Sequence, residues 1–238
     1  MLGSGRGGTS MLAGAMSLLG VPMEGSPYAF PQGQYNGEDL EILAASLGRE
    51  VVPPAAADRN PTLTEPRISE PAARWENVRR VIRRRNAQHE VWGFKDPSSF
   101  VYLDAIRPEL RNPHLVVIYR DPYAIAEREF VSGGYPLADG LQTALDRFAA
   151  IQATMTGWRA PTLAISFERA TAQPLEFLDT LASFLGVGAE RTRSPVLLDF
   201  IRPAGGYKEL GRAARELQGA SLTPANTDES TAPVERAA

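Results

Sequence analysis

Met1-Leu2-Gly3-Ser4-Gly5-Arg6-Gly7-Gly8-Thr9-Ser10 opens the chain, and its reading decides the fold. Laid on the nucleotide-binding pattern G-x-x-x-x-G-K-[ST], Gly3, Gly8 and Ser10 match, while Thr9 stands where the pattern has lysine. That lysine reaches the β- and γ-phosphates of a nucleoside triphosphate. A loop that keeps the glycines and hydroxyls but drops the lysine is expected to bind an anion smaller than a triphosphate. The glycines let backbone N–H groups converge on an oxyanion, and the helix behind them adds its positive N-terminal end. Ser4, Gly5, Arg6, Gly7, Gly8, Thr9 and Ser10 are therefore the candidate anion-binding residues, with Arg6 supplying a fixed charge in place of the lysine. Anion binding is expected here; ATP hydrolysis is not.

The same stretch has two blander readings. A glycine-rich opening also serves as a flexible leader, and Arg6 before the apolar Met11–Val21 run resembles a secretory signal. Gly14, Ser17 and Gly20 interrupt that run, however, and Leu12, Met16 and Leu19 recur at helical spacing, which favours a helix with a buried face. Such a loop ordinarily follows a strand, yet only Met1 and Leu2 precede Gly3. Either the assigned start lies too far downstream, which is the favoured expectation, or the strand lacks length.

Working outward, 238 residues with 43% hydrophobic content suit one sizeable globular domain. The expected organisation is a single domain over 1–215 followed by a disordered tail over 216–238, where residues are small and polar without apolar periodicity. No window approaches the roughly 20 apolar residues that span a bilayer. A net charge of −3 gives no overall pull toward nucleic acid. The chain has no cysteine, hence no disulfide, which is compatible with the cytoplasmic location we expect. His89 and His114 are its only imidazoles, and no metal is expected.

Helix and strand signals alternate, predicting an α/β fold with a parallel sheet flanked by helices. Leu115-Val116-Val117-Ile118-Tyr119 is almost wholly apolar, as befits a strand buried on both faces. Glu90–Phe94 and Thr162–Phe167 are further strand candidates. Leu141, Leu145, Phe148, Gln152 and Met155 mark one face of a long helix, with Gln152 its polar exception. Leu175, Leu178, Leu181 and Leu185 mark another, stopped by Gly186. Pro53 to Pro71 reads as a surface loop. The helix after it is expected to bury Trp75, Val78 and Ile82. Its Arg79, Arg80, Arg83 and Arg84, with Arg85 at the end, form either a solvated face, the favoured reading, or a basic wall beside an acidic substrate.

Two later segments turn the loop into a constellation. Trp92-Gly93-Phe94-Lys95-Asp96-Pro97 is a strand ending in lysine, and Tyr119-Arg120-Asp121-Pro122 follows the apolar strand directly. Ligands in open α/β sheets bind beyond the carboxyl ends of strands, so Lys95 and Arg120 are expected to face the loop's crevice. A guanidinium there can grip a phosphate bidentately. Arg6, Lys95 and Arg120 together suit a ligand with two separate anionic groups.

The order of these motifs resembles the sulfotransferases that use 3′-phosphoadenosine 5′-phosphosulfate, above all their bacterial and tyrosylprotein-type members. The family's 5′-phosphosulfate loop, G-x-x-R-[SG]-G-T-[ST], is matched by Gly3 to Ser10; its lysine strand by Lys95-Asp96-Pro97; its 3′-phosphate motif by Val116 to Pro122. Ser166-Phe167-Glu168, Pro174 and Phe184-Leu185-Gly186 resemble the family's later strand-loop-helix, so the likeness runs from about Gly3 to Tyr207. It implies a P-loop-type parallel sheet and transfer of a sulfuryl group to an acceptor hydroxyl. Two positions depart from the pattern. The serine expected eight residues after the R-D-P arginine is Arg128, which then becomes a candidate 3′-phosphate ligand. The histidine base of cytosolic members is replaced by Pro97.

In-line transfer needs a base for the acceptor proton and cations at the departing bridging oxygen. Lys95 and Arg6 suit the cationic role. The resemblance to tyrosylprotein-type members implies a glutamate base shortly after the loop helix, which points to Glu24, with Glu38 and Asp39 next in line. The acceptor, whether small molecule, glycan, lipid or peptide, is not legible, and neither is the oligomeric state. A kinase with an altered loop and a nucleotide binder without turnover are the competing readings.

Overall fold

Leu115-Val116-Val117-Ile118-Tyr119 is the central strand of a three-stranded parallel sheet flanked by helices. The computed structural model describes residues 1–23, 39–52, 62–67 and 70–201. In chain order the elements are β1 (Leu2–Gly3), α1 (Thr9–Leu18), α2 (Leu40–Ser46), β2 (Val51–Val52), β3 (Thr62–Leu63), α3 (Pro71–Gln88), α4 (Leu103–Ile106), β4 (Leu115–Tyr119), α5 (Pro122–Gly133), α6 (Leu137–Gly157), β5 (Thr162–Ser166), α7 (Phe167–Ala172), α8 (Pro174–Leu185) and α9 (Pro195–Phe200). The sheet order is β1-β4-β5, with Leu2 opposite Val117 and Leu115 to Tyr119 opposite Thr162 to Ser166.

Strand alternation sends successive β4 side chains to opposite faces. Val116 and Ile118 join α1, Phe177, Leu178 and Leu181 of α8, and Leu197 and Phe200 of α9 in one core. Leu115 and Val117 join Leu2, Ile42, Val78, Ile82, Tyr102, Ile106, Ile151 and Trp158 in the other. The uninterrupted apolar run is thus explained by two covered faces. Burying side chains of this size contributes about 1.5–3 kcal/mol each, which makes β4 the strand the domain can least lose.

Several elements depart from the sequence reading. The strand expected at Glu90–Phe94 shrinks to one parallel bridge between Met23 and Gly93, although Phe94 O also accepts a bond from the Met1 amine at 3.0 Å. The next strand stops at Ser166, because the Ser166 hydroxyl accepts the Arg169 N–H and starts α7 at Phe167. Helix α1 is buried nearly all round rather than on one face, since the sheet and α9 enclose it.

Helix α6 buries Gly140, Ala144 and Ile151, while Leu145 is 46% exposed and Gln152 points outward. Its first half packs on α5, where a Cβ at Gly140 would stand 3.2 Å from Ala126 Cα. Its second half packs on the sheet through Phe148, Ile151 and Met155. A single leucine stripe therefore misplaced the face by about one residue. In α8, Leu178 and Leu181 are fully buried and Gly186 caps the helix at φ 67°, but Leu175 lies exposed at the first turn. Part of the expected 53–71 loop is strand: Val51–Val52 pairs antiparallel with Thr62–Leu63.

Helix α3 buries Val78 and Ile82, and Trp75 stacks on Tyr102 with ring centroids 5.2 Å apart. Arg79 and Arg83 pair with Glu76, Arg83 also with Glu109, and Arg84 with Glu41. Arg85 is not a frayed end charge. It is 2% exposed, three residues inside the helix, with Nη1 3.0 Å from Asp39 Oδ2 and Nη2 3.0 Å from Glu41 Oε2. Neutralised by the chain's own acids, these arginines do not form a basic wall.

Candidate functional site

The loop between β1 and α1 folds back on itself: Gly7 N–H donates to Ser4 O at 3.0 Å, and Arg6 sits at φ 60°. Gly8 caps α1 in the left-handed region at φ 92°, where its missing side chain also avoids the Phe167 ring. No side chain caps α1 and its first turn holds no acid. The first N–H groups of a helix have no partner within it. Together with the aligned peptide dipoles, these donors favour an anion at the Gly8–Ser10 end.

Lys95 reaches this end from the segment beside β1. It is 2% exposed, and Nζ donates to Ser10 Oγ at 3.3 Å. The turn after it is fixed from behind. Asp96 accepts bonds from Ser98 N–H at 2.8 Å and from the Tyr102 hydroxyl at 2.5 Å, which burial and the neighbouring Asp96 hold in its protonated form. The K-D-P signature therefore places an ammonium group with a built support beneath it.

Arg120 leaves the carboxyl end of β4 as expected. Its Nη1 donates to Arg6 O at 3.0 Å, and its guanidinium stacks 4.7 Å above the Phe167 ring. The Asp121 side chain caps α5 by accepting Ala124 N–H at 3.0 Å, and Pro122 fills the first helical position. Arg6 itself turns toward α5. Its Nη2 donates to Ser132 Oγ at 3.1 Å and its Nε lies 3.7 Å from Glu129 Oε1. Arg128 sits on the same helix, partly buried, and its carbonyl accepts the Ser132 hydroxyl at 2.7 Å. The loop thus touches both Lys95 and Arg120, and Ser132 links the Arg6 guanidinium to the main-chain carbonyl of Arg128.

Of the base candidates, Glu24 and Glu38 lie outside the described residues. Asp39 is 0% exposed: its Oδ1 caps α2 through Ile42 N–H at 3.1 Å, and its Oδ2 faces Arg85. Arg85 Nη2 also donates to Asp39 Oδ1 at 3.3 Å, so the pair is held by charge and by one hydrogen bond, the Nη1–Oδ2 contact at 3.0 Å being an ion pair only. Burial raises the Asp39 pKa against the pull of Arg85 and Ile42 N–H. Buried and engaged by Ile42 N–H and Arg85, Asp39 is placed as a structural acid rather than as a base open to an acceptor.

Sequence reasoning passed over Arg147 of α6, whose Nη1 lies 3.1 Å from where a Cβ on Gly5 would stand. No motif marks it; only the placement of α6 brings it to the loop. A cavity of about 440 Å³ lies at the opposite, amino-terminal ends of the strands, lined by Leu2, Trp92, Leu115, Trp158 and Phe184 among others. None of Ser10, Lys95, Arg120 or Arg147 lines it, so the anion reading rests on charge and backbone donors rather than on cavity size. Among the described residues no cluster of three or more acids or imidazoles could hold a metal, and no helix is long and apolar enough to cross a membrane. Compared with protein-family models, curated proteins and solved structures, the chain gives no match.

Proposed function

We propose that this protein is a sulfotransferase that moves a sulfuryl group from 3′-phosphoadenosine 5′-phosphosulfate to an acceptor hydroxyl, on a P-loop-type sheet. One observation carries the reading: three sequence-distant motifs meet at the carboxyl ends of the strands, through Lys95 Nζ on Ser10 Oγ and Arg120 Nη1 on Arg6 O. Thr9 in place of the loop lysine argues against a triphosphate, and a second cation at Arg120 argues for a ligand with a second anionic group. In this mechanism the 4–10 loop and the α1 N-terminus bind the 5′ group, while Arg120 and Arg128 serve the 3′-phosphate. The acceptor oxygen attacks sulfur in line, the S–O bond to the 5′-phosphate breaks, and Lys95 stabilises charge on the departing oxygen. The acceptor proton goes to a carboxylate, for which Glu24 is our candidate.

Calorimetric titration against the sulfonucleotide and against ATP, each with and without magnesium, tests the assignment. Preference for the sulfonucleotide without magnesium is expected. Equal affinity for ATP, or strict magnesium dependence, would overturn it in favour of a kinase. Release of adenosine 3′,5′-bisphosphate in a labelled-sulfate acceptor screen then separates an enzyme from a binder without turnover.

A further inference from the structure

Arg147 occupies a place that neither its helix nor the loop motif explains. It is partly buried, and no hydrogen bond, ion pair or ring contact holds its guanidinium among the described residues. The nearest acid in sequence, Asp146, is taken up by Gln142 Nε2 at 2.8 Å. Charged groups drawn out of water are ordinarily paired, because desolvation is otherwise uncompensated. Gly5, opposite it, does not adopt a positive φ, so backbone conformation is not what requires glycine there. What Gly5 contributes is room: a Cβ would stand 3.1 Å from Arg147 Nη1. The loop's own arginine is meanwhile tied to Ser132 and Glu129 of α5, which removes part of its charge from the anion.

We propose that Arg147 is a ligand of the oxyanion held by the 4–10 loop, a further cation of the site seated in the space that Gly5 leaves open. The proposal rests on the sulfonucleotide reading only for the identity of the ligand: it assigns Arg147 to the 5′ end, not the 3′-phosphate. Geometry favours that end, since Arg147 Nη1 lies beside Gly5 at the start of the loop, whereas the Arg120 guanidinium lies over the Phe167 ring and meets the loop at Arg6 O.

The test titrates the full chain with two probes, inorganic pyrophosphate and adenosine 3′,5′-bisphosphate. Arg147→Ala is expected to weaken both alike, by about ten- to a hundredfold for a lost charge-assisted hydrogen bond. Arg147→Lys, which keeps the charge without the fork, should recover part of that affinity. Gly5→Ala, which crowds the guanidinium, should weaken binding in the native background and add little to Arg147→Ala, since the two changes remove one interaction. Melting curves of each variant check that the fold is kept, and Arg147→Gln replaces the alanine variant if it is not. Pyrophosphate binding unchanged in Arg147→Ala overturns the proposal, as does a loss confined to the bisphosphate. If the native chain binds pyrophosphate but not the bisphosphate, the sulfonucleotide reading fails and Arg147 is still judged on pyrophosphate. If it binds neither, both fall.

Discussion

Lys95 is the residue whose position says most about chemistry. Its buried ammonium group, 2% exposed, lies 3.3 Å from the Ser10 hydroxyl at the second residue of α1, where the helix N-terminus favours an anion. Such a group acts most strongly when the leaving oxygen becomes anionic, so Lys95→Ala is expected to depress turnover more than nucleotide affinity. The loss should be on the order of 10²-fold or more, read as bisphosphate release, by analogy with removing one transition-state donor. Turnover at the native level would make Lys95 a bystander. Arg128 makes a different prediction. It shares α5 with the Ser132 that holds Arg6, and its backbone carbonyl accepts the Ser132 hydroxyl. Arg128→Ala is expected to weaken adenosine 3′,5′-bisphosphate by about 1.5–3 kcal/mol while leaving adenosine 5′-monophosphate untouched. Equal weakening of both ligands would remove Arg128 from the 3′-phosphate. Arg147→Ala is expected instead to weaken both adenylates alike through their shared 5′-phosphate, so the two arginines separate the two ends of one ligand.

At the scale of elements, the short helix α2 is fastened to α3 by the buried Arg85–Asp39 pair, and to the site because Asp39 N–H donates to Lys95 O at 3.1 Å. Breaking a buried pair by removing one partner typically costs about 3–5 kcal/mol, because the other charge is left uncompensated. Arg85→Met is therefore expected to destabilise the domain by about that much, and adding Asp39→Asn should recover a large part. The pH dependence has a definite sign. Burial holds the folded-state pKa of Asp39 above its ordinary 3.8. The folded protein thus binds this proton better than the unfolded one. The stability that Asp39 contributes is present below 3.8 and is lost as pH rises through the raised value. Removing Arg85 takes away an opposing pull and raises the value further. The stability gap between Arg85→Met and native protein should widen from acid toward neutral pH, as urea melts at both would measure. A gap that narrows on the way up would mean Asp39 is ionised at little cost.

For the whole molecule, a ligand that binds only the folded state raises its melting temperature by mass action. At a hundredfold excess over the dissociation constant the gain is about 2.7 kcal/mol, or roughly 5–10 °C for a chain of this length. Adenosine 3′,5′-bisphosphate is expected to produce that shift in a thermal melt, and a chelator is expected to leave it unchanged. The reason is architectural. The loop, Lys95 and Arg120 stand at the same end of a sheet whose two faces are packed by separate cores. Ligand contact there ties α1, the 92–95 segment and β4 together. A shift that requires magnesium, or its absence, would point away from cation-only binding of the nucleotide.

Local pattern alone determined the parallel α/β character, the strand at Leu115–Tyr119, the helix closed by Gly186 and the loop ending at Gly8. In each of these the signal lies within one element: an apolar run, a left-handed stop, a glycine turn before a helix. The candidate residues Ser10, Lys95 and Arg120 were legible as well, because each sits at the end of an element where its backbone neighbours mark the spot. Pattern did not decide which face of α6 is buried, since Gly140 and Ala144 pack on α5 while Ile151 packs on the sheet, and a leucine count sees neither partner. Nor did it show that Arg85 is a core residue or that Arg147 lies against Gly5. Hydrophobic periodicity records which residues avoid water. It carries no information on which distant acid a buried arginine meets, or on which helix supplies a guanidinium to a loop more than a hundred residues away in the chain. Those pairings exist only once α2 docks on α3 and α6 crosses the end of β1, and tertiary packing alone decided them.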